Sequence, residues 1–246
     1  MRSAVPAAVL LSTSLVCGGE VGAQTTDLLL VLAADVSRSI DESEFTLQRK
    51  GYSAALTDPR VLAAIRGGSN GTIAICFVEW SGAGEQTVVA DWTVVRDEED
   101  AGGLAAAILA APRSFIGRTS ISGAIDFAME RFAVAQPRAN RHIIDVSGDG
   151  TNNSGRPVTD ARDQAVAQGV TINGLAIVND KPNPGYAFHT QPPGGLPEWY
   201  RQNVIGGPGA FLRVVEDFHS FADAMTNKLV SEIAAAPSSE IRSAHR

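Results

Sequence analysis

A run of seven apolar residues, Leu28 to Ala34, breaks off at the polar stretch Asp35-Val36-Ser37-Arg38-Ser39. An uninterrupted apolar run of this length predicts a strand buried on both faces, as in the centre of a parallel sheet. Similar runs predict strands at Thr72 to Glu79, Gln86 to Trp92, His142 to Val146, Val170 to Val178 and Ala210 to Val214. Helical patterns fall between them, at Asp41 to Leu56, Glu98 to Ala110, Ser122 to Ala133, Pro157 to Gln168 and Asp217 to about Ile233. The linker Ser81-Gly82-Ala83-Gly84 is short enough for a hairpin, so the second and third strands should pair antiparallel at an edge. The alternation predicts a doubly wound α/β sheet, mostly parallel, with one antiparallel edge strand and helices on both faces.

One connection departs from the short-loop pattern. Asn179 to Gly209 is rich in Pro and Gly and carries Tyr186, Phe188, His189, Trp199 and Tyr200. Connections this long are usually functional or mobile, and this one starts from the carboxyl end of a strand, where it would overhang the polar stretch after Ala34. Trp199 reads either as contact area for a partner or as the core anchor of a short helix.

The amino terminus has its own pattern: Arg2, an apolar stretch from Ala4 to Cys17, then Val21-Gly22-Ala23. This predicts a signal peptide over residues 1–23, a domain over residues 24–234 and a frayed tail over residues 235–246, hence a secreted or periplasmic protein. No other segment approaches the roughly 20 apolar residues of a membrane span, so no membrane insertion of the mature chain is expected. A net charge of −7 without a dense Lys/Arg run argues against a nucleic-acid partner. With Cys17 removed, Cys76 stands alone in an apolar run and is expected as a buried thiol.

Asp35, Ser37 and Ser39 place a carboxylate and two hydroxyls at alternate positions past the end of a central strand, where open α/β sheets bind their ligands. Two further segments should reach the same edge: Thr119, in Gly117-Arg118-Thr119-Ser120 ahead of a helix, and Asp149, in Gly148-Asp149-Gly150 past a strand. Five oxygen-bearing side chains from three loops suit a hard divalent cation. Each also has a structural reading. Asp35, Ser39 or Asp41 can cap the first helix, Thr119 or Ser120 can cap a later one, and Asp149-Gly150 can be a plain turn. The run Asp145 to Asn153 partly matches a calcium loop, but Arg156 stands where the bidentate Glu belongs.

Enzyme readings have little support in the sequence. The nucleophile elbow and both phosphate-binding glycine motifs are absent, and the histidines are scattered. His142 begins a strand, His219 sits on the last helix and His245 in the tail, which leaves only His189 placed to approach an ion. A metal-dependent hydrolase of phosphate or ester substrates remains the alternative, with Asp35 as nucleophile, as does a scaffold in which the ion only stiffens the loops.

In this order, the five residues resemble the metal-ion-dependent adhesion site of von Willebrand factor type A domains. Asp35, Ser37 and Ser39 match its D-x-S-x-S motif, Thr119 its threonine and Asp149 its late aspartate, and the resemblance covers roughly Thr26 to Ile233. Glu79-Trp80-Ser81 and Ser147 to Asn153 are similar to a group of secreted proteobacterial proteins with this fold, a likeness that implies no known activity. The resemblance implies a non-enzymatic adhesion-type module. Ser37, Ser39 and Thr119 would lie nearest the ion, and Asp35 and Asp149 would anchor its charge. It implies magnesium first, with manganese or calcium as alternatives, and a protein partner whose Glu or Asp completes the coordination. Tyr186, Phe188 and His189 are the expected partner-binding residues.

Overall fold

The computed structural model describes residues 24–178, 187–216 and 218–234. The predicted signal segment and tail, Tyr186 and the side chain of Phe188 lie outside the described residues. Strand β1 (Leu29–Asp35) is the hub. It pairs in parallel with β2 (Ile73–Trp80) on one side and β4 (His142–Gly148) on the other. Beyond β4 lie β5 (Thr171–Ile177) and the short β6 (Leu212–Val215), both parallel. Beyond β2, β3 (Gln86–Val95) runs antiparallel at the edge, giving the order β3-β2-β1-β4-β5-β6. The doubly wound sheet with one antiparallel edge strand is thus as predicted.

Strand alternation divides the core in two. Leu28, Leu30, Leu32 and Ala34 face one helical layer, which holds α1 (Glu42–Leu56), α2 (Pro59–Arg66), α3 (Glu98–Ala110) and α8 (Phe221–Ala234). Val31 and Ala33 face the other, built from α4 (Ile121–Val134), α5 (Val158–Ala167) and α7 (Leu196–Asn203). β1 is buried along its whole length because it has cover on both sides, which is why its sequence does not alternate. Cys76 is a free buried thiol on β2, pushed up by burial to about 12.

Three helices were absent from the predicted element order, although a short helix at Trp199 was one of the two readings of that residue. α2 follows α1 after only Thr57 and Asp58, with Asp58 capping it and Pro59 at its first position. The long connection holds α6 (Ala187–Thr190) and α7. On α7, Tyr200 is the fully buried anchor, whereas Trp199 is half-buried against the same layer. His219 lies in a 3₁₀ turn, Phe218–Ser220, rather than in the last helix. No helix among the described residues is long and apolar enough to cross a membrane.

Candidate functional site

β1 is where the winding of the sheet reverses, since the chain leaves it for β2 on one side and later returns to its other side as β4. The carboxyl ends of β1 and β4 lie side by side there, with Ala34 paired to Ser147. The loops that follow diverge in sequence but open one crevice. Asp35 and Asp149 are thereby brought to a common floor, and the segment before α4 adds Thr119.

The hydroxyls meet in a chain. Ser39 Oγ donates to Asp149 Oδ1 at 2.6 Å, Ser37 Oγ lies 3.2 Å from Ser39 Oγ, and Thr119 Oγ1 donates to Ser37 Oγ at 3.1 Å. Asp35 Oδ1 accepts the backbone N–H of Ser37 at 2.7 Å, which leaves its second oxygen pointing elsewhere. Asp35, Ser37, Thr119 and Asp149 are all essentially buried, and Ser39 is half-buried at the rim. The structure therefore brings together all five residues singled out in the sequence.

The capping roles that competed for these side chains are taken by their neighbours. Asp41 caps α1 in a full capping box with Glu44, and Ser120 caps α4 through Gly123 N. Ser39 and Thr119, two and one residues away, are left free to face the crevice. Asp145 is not part of a calcium loop: it is buried on β4, with Lys228 Nζ 2.7 Å from its Oδ1.

His189 also enters the site, carried on α6. Its Nε2 is 2.9 Å from Thr119 Oγ1, and its Nδ1 lies 3.1 Å from Thr151 Oγ1 and 3.2 Å from Asn153 Nδ2. The proton directions follow from the far end of the chain. Ser39 donates to a carboxylate, so Ser37 donates to Ser39, Thr119 to Ser37, and the imidazole Nε2–H to Thr119. Asn153 fits this tautomer: its Oδ1 accepts Thr119 N–H at 2.9 Å, so its amide N–H₂ turns toward Nδ1. Burial and the nearby Arg118 push the imidazole down to about 4, and it is neutral at pH 7.

Other contacts gave no signal of their own in the sequence. One nitrogen of Arg113, Nη2, donates to the carbonyls of Val36, Ser37 and Ile40, each at 2.8 Å, and fixes the curl of the loop after β1. Gln48 Nε2 donates to Asp35 O at 3.2 Å. Asn153 N donates to Thr119 O at 2.9 Å and Asn152 Oδ1 accepts Ser122 N–H at 3.0 Å, tying the β4 loop to the start of α4. The two partners in each contact of Arg113, Gln48 and Asn152 lie at least 13 positions apart, too far for spacing to suggest the pairing.

The donor set fits a hard divalent cation. Asp35 Oδ2 is buried and has no hydrogen-bond partner among the described residues, and neither has the hydroxyl of Tyr200. A Cβ on Gly148 would lie 2.8 Å from that hydroxyl and 2.9 Å from Asp35 Oδ2, so only glycine leaves the space between them open. Burial raises both carboxyls, Asp149 to about 6 and Asp35 well above the usual range, Asp35 also through the charge of Asp149. Two enclosed carboxylates with one guanidinium nearby lack compensating positive charge, which a cation would supply. Among the described residues no three His, Cys, Asp or Glu side chains gather as a metal site, so the cradle depends on hydroxyl oxygens.

Several solved structures share this architecture. PTMP1 from the mussel byssus, in a form with a zinc-occupied MIDAS motif, is 16% identical with a TM-score of 0.58, covering 86% of this chain and 49% of that one. A von Willebrand factor type A protein from Catenulispora acidiphila is 14% identical with a TM-score of 0.58, covering 85% and 43%. The pilus adhesin SpaC from Lactobacillus rhamnosus GG, in its open conformation, is 14% identical with a TM-score of 0.58, covering 85% and 30%. The fold is that of a von Willebrand factor type A domain, and the chain spans less than half the length of each of these relatives. The chain belongs to the family described as Protein of unknown function (DUF1194), whose model matches residues 25–237. No curated protein matches the sequence.

Proposed function

We propose that the protein is a secreted, non-catalytic binding module that holds a divalent cation at the crest of its sheet and captures a carboxylate of a protein partner. The observation that carries this reading is the hydroxyl chain from Thr119 through Ser37 and Ser39 to Asp149, beside a buried Asp35 oxygen with no hydrogen-bond partner among the described residues. Ser37, Ser39 and Thr119 would hold the ion with neutral oxygens, while Asp35 and Asp149 balance its charge. When bound, the ion supplies an electrophilic position that a Glu or Asp oxygen can occupy. Arg113 and Gln48 keep the loop after β1 curled, and the carboxylates need not reorganise when the partner arrives. Magnesium suits this hard oxygen set first, with manganese and calcium close behind. The zinc-occupied MIDAS of PTMP1 and the adhesin among the structural neighbours support the reading. His189 lines the mouth, and it would contact the partner together with Tyr186 and Phe188 from the same connection.

Thermal unfolding with and without magnesium, manganese or calcium tests the site. An ion that binds only the folded state stabilises it by about 2.7 kcal/mol at a hundred times its dissociation constant. The midpoint should rise with at least one of these ions and fall back on chelation. Asp35→Ala and Thr119→Ala should each lose the rise while still unfolding cooperatively. No shift with any of the three ions would overturn the reading.

A further inference from the structure

The mouth of the cradle is a cavity of about 260 Å³, and Arg38 and Arg118 line it together with Ser39, Thr119, Asn153 and His189. Both arginine side chains are exposed. Each is held to the site by its surroundings. The backbone N–H of Arg38 donates to Gly117 O at 3.0 Å, joining the loop after β1 to the one before Thr119. Arg118 Nη2 donates to Asn153 O at 2.6 Å, which positions its guanidinium against the loop after β4. Two guanidinium groups on separate loops therefore border one opening.

The chain carries a net charge of −7, yet among the described residues the charged side chains lining this mouth are the two arginines. A divalent cation in the cradle would offset Asp35 and Asp149 below, leaving the rim charge uncompensated. A lone carboxylate on the ion carries one negative charge, which leaves at least one of the two guanidinium charges uncompensated. We infer that the partner segment is acidic beyond its coordinating residue: one carboxylate is captured in the cradle, and neighbouring Asp or Glu side chains pair with Arg38 and Arg118. This rests on the cation-dependent reading above and names the partner class it selects. Guanidinium forks match carboxylates, and such rim pairs act mainly on selectivity and encounter rate.

Two fluorescent peptides of equal length test the inference by anisotropy with the purified protein in magnesium. One carries a single Glu in a Gly/Ser background, and the other carries the same Glu flanked on both sides by Asp and Glu. The acidic peptide should bind about tenfold more tightly at low salt, with the ratio shrinking as salt rises. The double variant Arg38→Ala/Arg118→Ala should bring the ratio close to one while keeping the magnesium-induced rise in unfolding midpoint. Arg38→Ala alone, which leaves the Asn153 contact intact, should lose part of it. Equal affinities, no binding of the acidic peptide, or an unchanged ratio in the double variant overturns the inference. A preference for the acidic peptide that persists in chelator instead overturns the cation-dependent reading beneath it.

Discussion

Asp41 and Ser39 show how closely structural and functional roles can sit at the level of single residues. Asp41 Oδ1 accepts the N–H groups of Ser43 and Glu44 at 2.7 and 2.9 Å, and Glu44 returns a contact to Asp41 N at 2.8 Å. Ser39, two positions earlier, bonds Asp149 across 110 positions of sequence. From sequence either could have been the cap, because both precede an amphipathic helix at a suitable distance. A Glu three residues on does not separate them, since Glu42 follows Ser39 as Glu44 follows Asp41, and it is the fold that gives the capping box to Asp41. Asp41→Ala should cost about 1 kcal/mol in urea unfolding. The response of the midpoint to magnesium should be unchanged, and a lost response would mean that the cap and the cradle are not separable. Ser120 and Thr119 divide the same two roles at α4, where adjacent hydroxyls gave sequence reasoning as little to choose by.

Among the elements, those with a strong apolar period were legible. α3 matches its predicted range, and β1, β2 and β4 shift by one or two residues. α2 was legible in principle, since Asp58-Pro59 is a helix start, but it follows α1 too closely for its own period to stand out. α6 was not legible, because four residues have no period at all, and its place over the site depends on the contacts of His189. Those contacts set an element-scale expectation. A Cβ on Gly150 would collide with the imidazole of His189. Gly150→Ala should therefore dislodge α6 and speed amide exchange over residues 187–190, with the unfolding midpoint little changed. Unchanged exchange in that segment would mean that His189 does not hold α6 down.

At the scale of the whole molecule, two buried ionic clusters brace the helical layer holding α1 and α8. Arg49 on α1 pairs with Glu79 at the end of β2, and Lys228 on α8 reaches both Asp145 on β4 and Glu232. The second cluster carries one more acid than base, and burial with the charge of Glu232 raises Asp145 to about 7. A carboxyl raised on folding contributes stability that is complete below its unfolded value of 3.8 and is lost as the pH climbs through about 7. Urea midpoints of the parent should fall relative to those of Asp145→Asn as the pH rises across that window. A gap that does not change with pH would contradict the coupling. The apolar runs, with their caps and turns, determined the α/β class, the antiparallel edge strand and the five oxygen-bearing residues, because local period and residue chemistry are written in short stretches. Only the tertiary structure decided that Arg113 ties down the loop after β1, that His189 joins the hydroxyl chain and that Arg38 and Arg118 border one mouth. Those contacts join segments tens of residues apart, and their distances are set by how the sheet is wound and how its loops curl.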